Sequence, residues 1–194
     1  MSDLVTTINT LAFQFMKSIA NPTFNTFMAF IATDSIVVLV IAVIGLYLFY
    51  RKDKNVFTFV VAGALVYAVA YALKLIVHEP RPCTVSSLSW INRVGCDSST
   101  FSFPSEHASV LTGLYFFVDA YKYLRVLYII WLVLILFGRV YLGAHYLTDV
   151  VAGMVLSIAL MWAVRVYRKQ INAFLAGIAK AILPQLFDVK WQKE

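Results

Sequence analysis

Residues 56–77 read VFTFVVAGALVYAVAYALKLIV, an apolar run in which Lys74 is the one charged side chain. A helix needs about 20 consecutive apolar residues to cross a bilayer, and this run is long enough. The rest of the chain is similarly apolar: hydrophobic residues fill 61% of its 194 positions and charged residues 13%, with a mean hydropathy of +0.80. These values exclude an ordinary soluble domain and predict a single integral membrane domain over residues 1–194.

Apolar runs on both sides of this stretch predict an all-α polytopic membrane bundle with about six transmembrane helices. The further spans are expected at Ser35–Tyr50, Ala108–Ala120, Leu124–Leu142 and Tyr146–Val166. The segment from Val5 to Ile31 contains Lys17, Asn21 and Pro22. It predicts either one tilted helix or an interfacial helix followed by a short span.

The distribution of lysine and arginine predicts the orientation, because short loops rich in these residues stay in the cytoplasm. The cationic loops contain Arg51, Lys52 and Lys54, then Lys122 and Arg125, then Arg165, Arg168 and Lys169. Alternation places residues 78–107, residues 139–146 and the vicinity of Asp34 on the outer side. Both termini are expected in the cytoplasm, with residues 171–194 forming an amphipathic helix on that face.

The net charge of +6 does not indicate a nucleic-acid partner, because the cations are spread over separate loops rather than gathered in one patch. The two cysteines, Cys83 and Cys96, both fall in the outer hydrophilic stretch. Two interpretations stay open for them: two free thiols, or a disulfide that braces an extracellular loop.

Three polar clusters interrupt this apolar chain, and all of them lie on the predicted outer side. They are Lys74 with Arg81-Pro82, then Pro104-Ser105-Glu106-His107, then Arg139 with His145 and Asp149. Because a charge within the bilayer is costly, ionisable groups beside apolar spans are a sign of function. Cations, histidines and a carboxylate together can hold a phosphate and break a bond to it.

In the third cluster, His145 and Asp149 are four residues apart and share one face of a helix. A carboxylate that accepts one ring N–H leaves the other ring nitrogen free as a nucleophile. Arg139, at the end of the preceding span, is suitably placed to reach a phosphate. The alternative is a buried His–Asp pair with no catalytic role.

The other two clusters suit phosphate binding and proton transfer. Pro104-Ser105 indicates a helix start, where free backbone N–H groups favour an anion, and His107 is able to protonate a leaving oxygen. Lys74 and Arg81 are able to neutralise phosphate oxygens. The alternatives are ordinary capping with an interfacial histidine, and a snorkelling lysine with a loop arginine.

At these residues the chain resembles the type 2 phosphatidic acid phosphatase superfamily of integral membrane lipid phosphatases. The motifs of that family are a Lys separated by six residues from Arg-Pro, a Pro-Ser-x-His, and a Ser-Arg-x5-His-x3-Asp. All three spacings occur here, in the same order. Two positions depart from the commonest pattern: Gly138 replaces the Ser of the third motif, and Glu106 replaces the Gly most often found before the histidine.

The resemblance implies a role for each residue. His145 is the nucleophile, Asp149 orients it, and His107 is the general acid. The phosphoryl oxygens are held by Lys74, Arg81, Ser105 and Arg139. Glu106 is placed in the same phosphate-binding set as a residue that tunes specificity, although a carboxylate there could also impair the site. No metal and no other cofactor is expected.

The implied function is metal-independent hydrolysis of lipid phosphates through a phosphohistidine. The expected substrates are phosphatidylglycerol phosphate and undecaprenyl pyrophosphate, which stay in the bilayer of the cell membrane while their head groups enter the site. No obligatory protein partner is expected. Three rivals stay open: a small anion transporter, a metalloenzyme using His78, His107 and His145, and an inactive lipid-binding relative.

Overall fold

The computed structural model describes residues 2–53, 55–85, 99–118, 120–167, 169–171, 173–174 and 177–178. Every regular element in these residues is a helix, which confirms the all-α prediction. The helices are α1 (Ser2–Ser18), α2 (Pro22–Ile31), α3 (Asp34–Tyr50), α4 (Val56–Val77), α5 (Pro82–Val85), α6 (Glu106–Val118), α7 (Lys122–Tyr141) and α8 (Leu147–Val166). Most of the predicted tail helix at 171–194, together with Lys54, Cys96 and Arg168, lies outside the described residues.

Three helical segments are long and apolar enough to cross a membrane: Val56–Val85, Lys122–Tyr141 and Leu147–Val166. A fourth is formed if α2 and α3, which meet at an angle of 45°, count as one bent span. Helices α1 and α6 are shorter than these segments, with 17 and 13 residues. The chain is therefore a helical membrane protein, and α4 has the same limits as the apolar run from which it was predicted.

The ambiguous N-terminal segment forms two helices rather than one. The Asn21 side chain accepts the backbone N–H of Phe24 at 2.9 Å, and Pro22 occupies the first turn of α2. Both features favour the start of a new helix. The end of α2 packs closely on α7 at Gly138. A Cβ atom built there would lie only 3.2 Å from the Cβ atom of Ala32.

Helix α6 lies in the middle of the bundle, where it packs most extensively against α8 and also against α4 and α7. Although it is short, its apolar side chains at Ala108, Leu111, Leu114 and Val118 are fully or almost fully buried. On α8, a Cβ atom at Gly153 would lie 2.7 Å from the carbonyl oxygen of Ser105. The absence of a side chain at Gly153 therefore allows α8 to touch the backbone where α6 begins.

The two ends of the bundle differ in character. At one end, which we call the polar end, α3, α6 and α8 begin and α4 and α7 finish. There Lys74 of α4 pairs with Glu106 of α6, and Asp34 of α3 contacts His107 of α6 and Arg139 of α7. At the opposite end, the Tyr121 hydroxyl donates a hydrogen bond of 2.6 Å to Asp53. The fold thus gathers the residues of all three predicted clusters at a single end.

Candidate active site

The polar end holds all eight residues that the motifs single out. Six of them are buried: Lys74, Arg81, Ser105, Arg139, His145 and Asp149. The side chains of Glu106 and His107 are partly exposed, at 20% and 15%. Ionisable groups buried this deeply in a membrane protein need partners, and neighbouring side chains and carbonyl groups supply them.

The first cluster follows from the way α4 ends. His78 adopts a left-handed backbone conformation with φ of 55°, and its N–H donates to the Lys74 carbonyl, which closes the helix. The chain then turns so that Arg81 is buried. Its guanidinium donates to the Thr100 hydroxyl at 2.7 Å and to the Ala144 carbonyl at 3.1 Å. Arg81 is thereby fixed beside the residue that precedes His145.

The second cluster begins α6. The Ser105 hydroxyl accepts the backbone N–H of Ala108 at 3.4 Å, and the Ser105 N–H donates to the Asp149 carbonyl at 3.2 Å. Glu106, which is expected to repel a phosphate if unpaired, accepts a 2.7 Å salt bridge from the buried Lys74 ammonium. Its charge is therefore compensated by a cation of the same site.

A tight turn between α7 and α8 places the third cluster. The Arg139 carbonyl accepts the N–H groups of Ala144 at 3.0 Å and of His145 at 3.2 Å. Gly143 lies within this turn with φ of 66°, a backbone conformation that a residue without a side chain adopts at little cost. The turn brings the His145 ring into the protein interior, where it is only 1% exposed.

The imidazole of His145 has a different hydrogen-bond partner from the Asp149 carboxylate that the four-residue spacing predicts. Its Nδ1 lies 2.9 Å from the carbonyl oxygen of Ser102, whereas the nearest oxygen of Asp149 is 3.7 Å away. The same Asp149 oxygen accepts the Ser102 hydroxyl and, at 2.8 Å, the N–H of Tyr146. Asp149 thus holds the Ser102 segment, and the Ser102 carbonyl in turn holds the imidazole.

The contact with Ser102 determines the tautomer of His145. A carbonyl oxygen only accepts hydrogen bonds, so Nδ1 must carry the proton and Nε2 keeps a free lone pair. Burial lowers the pKa of His145 well below its usual value of 6.5, and the nearby cations Arg139, Arg81 and Lys74 lower it further. The imidazole is therefore neutral at pH 7, as a nitrogen nucleophile requires.

The structure adds Asp34, which no motif contains. Its Oδ1 lies 3.2 Å from Nε2 of His107 and 3.5 Å from Nη1 of Arg139. Arg139 also donates to the Ala32 carbonyl at 3.2 Å, while its buried Nε has no hydrogen-bond partner among the described residues. This guanidinium therefore keeps a donor available for another acceptor.

A cavity of about 250 Å³ opens beside this site. One end of it is polar, with Asp34, Glu106 and His107. The remainder is mainly apolar and is lined by Val37, Val38, Ile41, Tyr67, Val110 and Leu111 from α3, α4 and α6. Such a cavity matches a molecule with a charged head and a hydrocarbon chain.

The third histidine, His78, makes local contacts instead of joining the site. Its ring packs edge-on against Phe101 with centroids 4.5 Å apart, and its Nδ1 lies 3.2 Å from the Ile76 carbonyl. Within the described ranges, no three His, Cys, Asp or Glu side chains are grouped so as to hold a metal ion. In the adjoining helix α5, Cys83 is disulfide-bonded, and the other cysteine of the chain, Cys96, lies outside the described residues.

Sequence reasoning missed two contributors, Ser102 and Asp34. Ser102 contacts His145 through its backbone carbonyl. Because every residue has this group, the residue type at position 102 does not predict the contact. Asp34 is an acidic residue at the start of α3, and its predicted position on the outer side was the one available signal. Nothing in the spacing connects it with the distant His107 and Arg139.

Relatives of known sequence point to one family. The sequence model of the PAP2 superfamily matches residues 55–173, more than half of the 194-residue chain. Phosphatidylglycerophosphatase B of Bacillus subtilis (strain 168) is 35% identical over 103 residues, with 44% of this chain and 51% of that protein covered. The match therefore spans about half the length of this curated relative.

Two solved structures are similar to most of the chain. The crystal structure of a transmembrane PAP2-type phosphatidylglycerolphosphate phosphatase from Bacillus subtilis superposes with a TM-score of 0.63 at 24% identity, covering 88% of this chain and 87% of that one. Aquifex aeolicus LpxE gives 0.63 at 19% identity, covering 78% and 90%. At these identities the likeness shows a shared fold. The matched residues 55–173 contain all three motifs, so the chain belongs to the PAP2 superfamily.

Proposed function

We propose that this protein is a membrane lipid phosphatase that transfers the phosphoryl group to His145. The observation that carries the proposal is the state of His145: it is buried and neutral, its proton is on Nδ1 so that Nε2 has a lone pair, and the cations Lys74, Arg81 and Arg139 lower its pKa. A neutral imidazole among fixed positive charges is suited to attack phosphorus. The membrane-spanning helices and the relationship to a phosphatidylglycerophosphatase support a lipid as the substrate.

The reaction proceeds in two balanced steps. In the first, Nε2 of His145 forms a bond to phosphorus in line with the bond that breaks, and His107 gives its proton to the departing lipid oxygen. In the second, a water molecule attacks the phosphohistidine while His107 takes its proton. The phosphorus–nitrogen bond breaks, inorganic phosphate leaves and His145 returns to its neutral state.

The remaining polar residues bind and stabilise the phosphoryl group. Lys74, Arg81, Arg139 and the Ser105 hydroxyl hold its oxygens, and the free Nε donor of Arg139 supports this assignment. Asp149 orients His145 through Ser102. Glu106 moderates the charge of Lys74 and thereby tunes phosphate affinity. Because fixed cations neutralise the phosphate, the reaction needs no metal ion.

The substrates are lipids whose head groups carry a terminal phosphate, with phosphatidylglycerol phosphate and undecaprenyl pyrophosphate as the two candidates. The apolar lining of the cavity beside His107 supports this choice, since a hydrocarbon chain is able to lie there while the phosphate reaches the cations. The whole chain acts as one domain, and no protein partner is needed.

We further propose six membrane crossings, by α1, the bent pair α2–α3, α4, α6, α7 and α8. Both termini are then cytoplasmic and the active site faces outward. The loop cations support this orientation: Arg51 and Lys52 follow α3, Lys122 begins α7, and Arg165 belongs to the last turn of α8. All of them lie at the end of the bundle opposite the polar end.

The decisive experiment measures phosphate release from a panel of lipid phosphates by the wild-type protein and by His145→Ala. We expect the variant to lose at least about 10³-fold in rate, because no other group forms the covalent intermediate. Equal rates would overturn the nucleophile assignment. Absence of release from every lipid by the wild type would overturn the proposed activity itself.

The same assay tests the metal-independent mechanism. Activity is expected to survive EDTA, because the cations of the site are side chains. Vanadate should inhibit the protein, because it adopts the five-coordinate geometry of a phosphoryl group during transfer. Loss of activity in chelator that is restored by adding a divalent metal would contradict this part of the proposal.

A further inference from the structure

Asp34 is a charged residue of the polar end that lies outside the three motifs. Its carboxylate is within 3.2 Å of Nε2 of His107 and within 3.5 Å of Nη1 of Arg139. Its side chain is nevertheless 78% exposed and lines the cavity beside the site. The carboxylate therefore stands where the polar end of the cavity meets its apolar wall.

The position of Asp34 relative to the reacting phosphorus follows from the in-line geometry. The nucleophile His145 is buried, and the bond that breaks must lie on the opposite side of phosphorus. His107 protonates the departing oxygen in the proposed reaction, and it lines the cavity together with Asp34. Asp34 is thus a neighbour of the leaving group through His107, in addition to its contact with Arg139 on the side of the transferred phosphoryl group.

The two candidate classes of substrate differ mainly in the charge of that leaving group. A phosphomonoester releases an alcohol, which is neutral once His107 has protonated it. A lipid diphosphate releases a lipid monophosphate, which carries negative charge next to the bond that breaks. A carboxylate beside the leaving group repels the second by its charge, whereas it does not repel the neutral alcohol.

Glu106 lines the same cavity but does not have the same effect. Its carboxylate forms a 2.7 Å salt bridge with the buried Lys74 ammonium, so its charge is compensated within the site. Asp34 has longer contacts to His107 and Arg139, and both contacts converge on one oxygen. Its second carboxylate oxygen is therefore the better candidate to act on a leaving group.

We infer that Asp34 is a specificity-determining residue that favours lipid phosphomonoesters over lipid diphosphates. This inference rests on the proposed function, because it assumes transfer to His145 with His107 on the leaving-group side. Within that function it ranks the two substrate classes: phosphatidylglycerol phosphate and similar monoesters are preferred, and the carboxylate of Asp34 disfavours the diphosphates.

The test uses two substrates that differ only in their leaving group, farnesyl phosphate and farnesyl diphosphate. We expect Asp34→Asn in the full-length protein to raise kcat/KM for the diphosphate relative to the monoester by about tenfold, the effect of one partly screened charge at close range. Asp34→Glu keeps the charge and should keep the wild-type ratio. Asp3→Asn removes a charge from α1 and serves as the matched control.

Inhibition provides a second readout that does not depend on chemistry. A farnesyl methylenediphosphonate should inhibit Asp34→Asn more strongly, relative to farnesyl phosphonate, than it inhibits the wild type. If Asp34→Asn is too unstable to purify, Asp34→Ser removes the same charge with a smaller side chain. An unchanged ratio, or an equal fall in both activities, would overturn the inference and leave the phosphatase assignment intact. A wild type inactive on both substrates would instead count against the proposed function.

Discussion

Each cation of the site already has an acceptor from the chain itself. Lys74 binds Glu106, Arg81 binds Thr100, and Arg139 lies near Asp34. A buried cation without a partner is strongly destabilising, so carboxylates beside Lys74 and Arg139 and a hydroxyl beside Arg81 stabilise the site. Under the proposed function the consequence is competition for the cations, because an incoming phosphate must share or replace the acceptors.

The Lys74–Glu106 pair offers a direct test of this competition. We expect Glu106→Gln to lower the free energy of unfolding by about 3 kcal/mol, because the buried ammonium loses its carboxylate. The same change should lower KM for a lipid phosphate several-fold, because the freed charge of Lys74 attracts the substrate. Thermal denaturation in detergent, with and without inorganic phosphate, measures the first effect, and steady-state kinetics measures the second.

Added phosphate should raise the melting temperature of Glu106→Gln more than that of the wild type, since it restores the missing negative charge. Glu79→Gln, a neutralised glutamate elsewhere in the same region, is the control. Equal melting temperatures for wild type and Glu106→Gln would rule out a stabilising role for the pair. A large loss of activity would mean instead that the glutamate takes part in the reaction.

At the scale of single residues, sequence predicts side-chain chemistry better than it predicts contacts. The four-residue spacing predicts that His145 and Asp149 lie near each other, and their side chains are 3.7 Å apart. His145 lies just before α8 and Asp149 is in its first turn. The direct partner of the imidazole is the Ser102 carbonyl, and every residue carries the same carbonyl group. Asp34 could not be assigned because tertiary packing alone brings α3 to the site.

Among the helices, α6 and α8 determine the geometry of the site. Ser105 donates its N–H to the Asp149 carbonyl at 3.2 Å, and a Cβ atom at Gly153 would lie 2.7 Å from the Ser105 carbonyl oxygen. The two motifs that contain Ser105 and Asp149 are thus held together by backbone contact. The size of the residue at position 153 sets their separation.

This close packing predicts the effect of a single methyl group. Gly153→Ala should lower the free energy of unfolding by about 2 kcal/mol, since the new Cβ atom meets backbone that has no room to move. Activity should fall at least about tenfold, because Ser105 shifts away from the phosphate. Thermal denaturation and lipid-phosphate hydrolysis measure the two effects.

Gly63→Ala is the matched control for this substitution, because a Cβ atom there would first meet the flexible end of Leu114 at 3.4 Å, an ordinary contact distance. It should leave both stability and activity close to those of the wild type. If Gly153→Ala behaved like Gly63→Ala, the separation of α6 and α8 would not control the site.

For the whole molecule, the polar end and the opposite end are expected to lie on different sides of the membrane. Ser99 directly precedes Thr100, which binds Arg81 of the site. Tyr123 is at the start of α7, at the opposite end, and is 83% exposed. The N-terminal helix α1 contacts the start of α8, where Asn9 donates to Thr148 at 3.0 Å. The side on which α1 begins therefore determines whether the number of crossings is six.

Single cysteines in a variant with Cys83 and Cys96 replaced by serine test this arrangement. In intact spheroplasts, a membrane-impermeant maleimide should label Ser99→Cys and should label Tyr123→Cys and Asp3→Cys only after lysis. The expected pattern follows from the cytoplasmic retention of the cationic loops. Labelling of Asp3→Cys before lysis would reduce the crossings to five, and labelling of Tyr123→Cys would reverse the orientation.

The sequence by itself determined the helical membrane architecture, the family and the set of polar side chains in the three motifs. These properties follow from local composition and spacing, because apolar length specifies a span and side-chain type specifies chemistry. Tertiary structure alone decided that the Ser102 carbonyl sets the tautomer of His145, that Glu106 pairs with Lys74, and that Asp34 joins the site. Such contacts join residues that are far apart in the chain, so they exist only after the helices have packed.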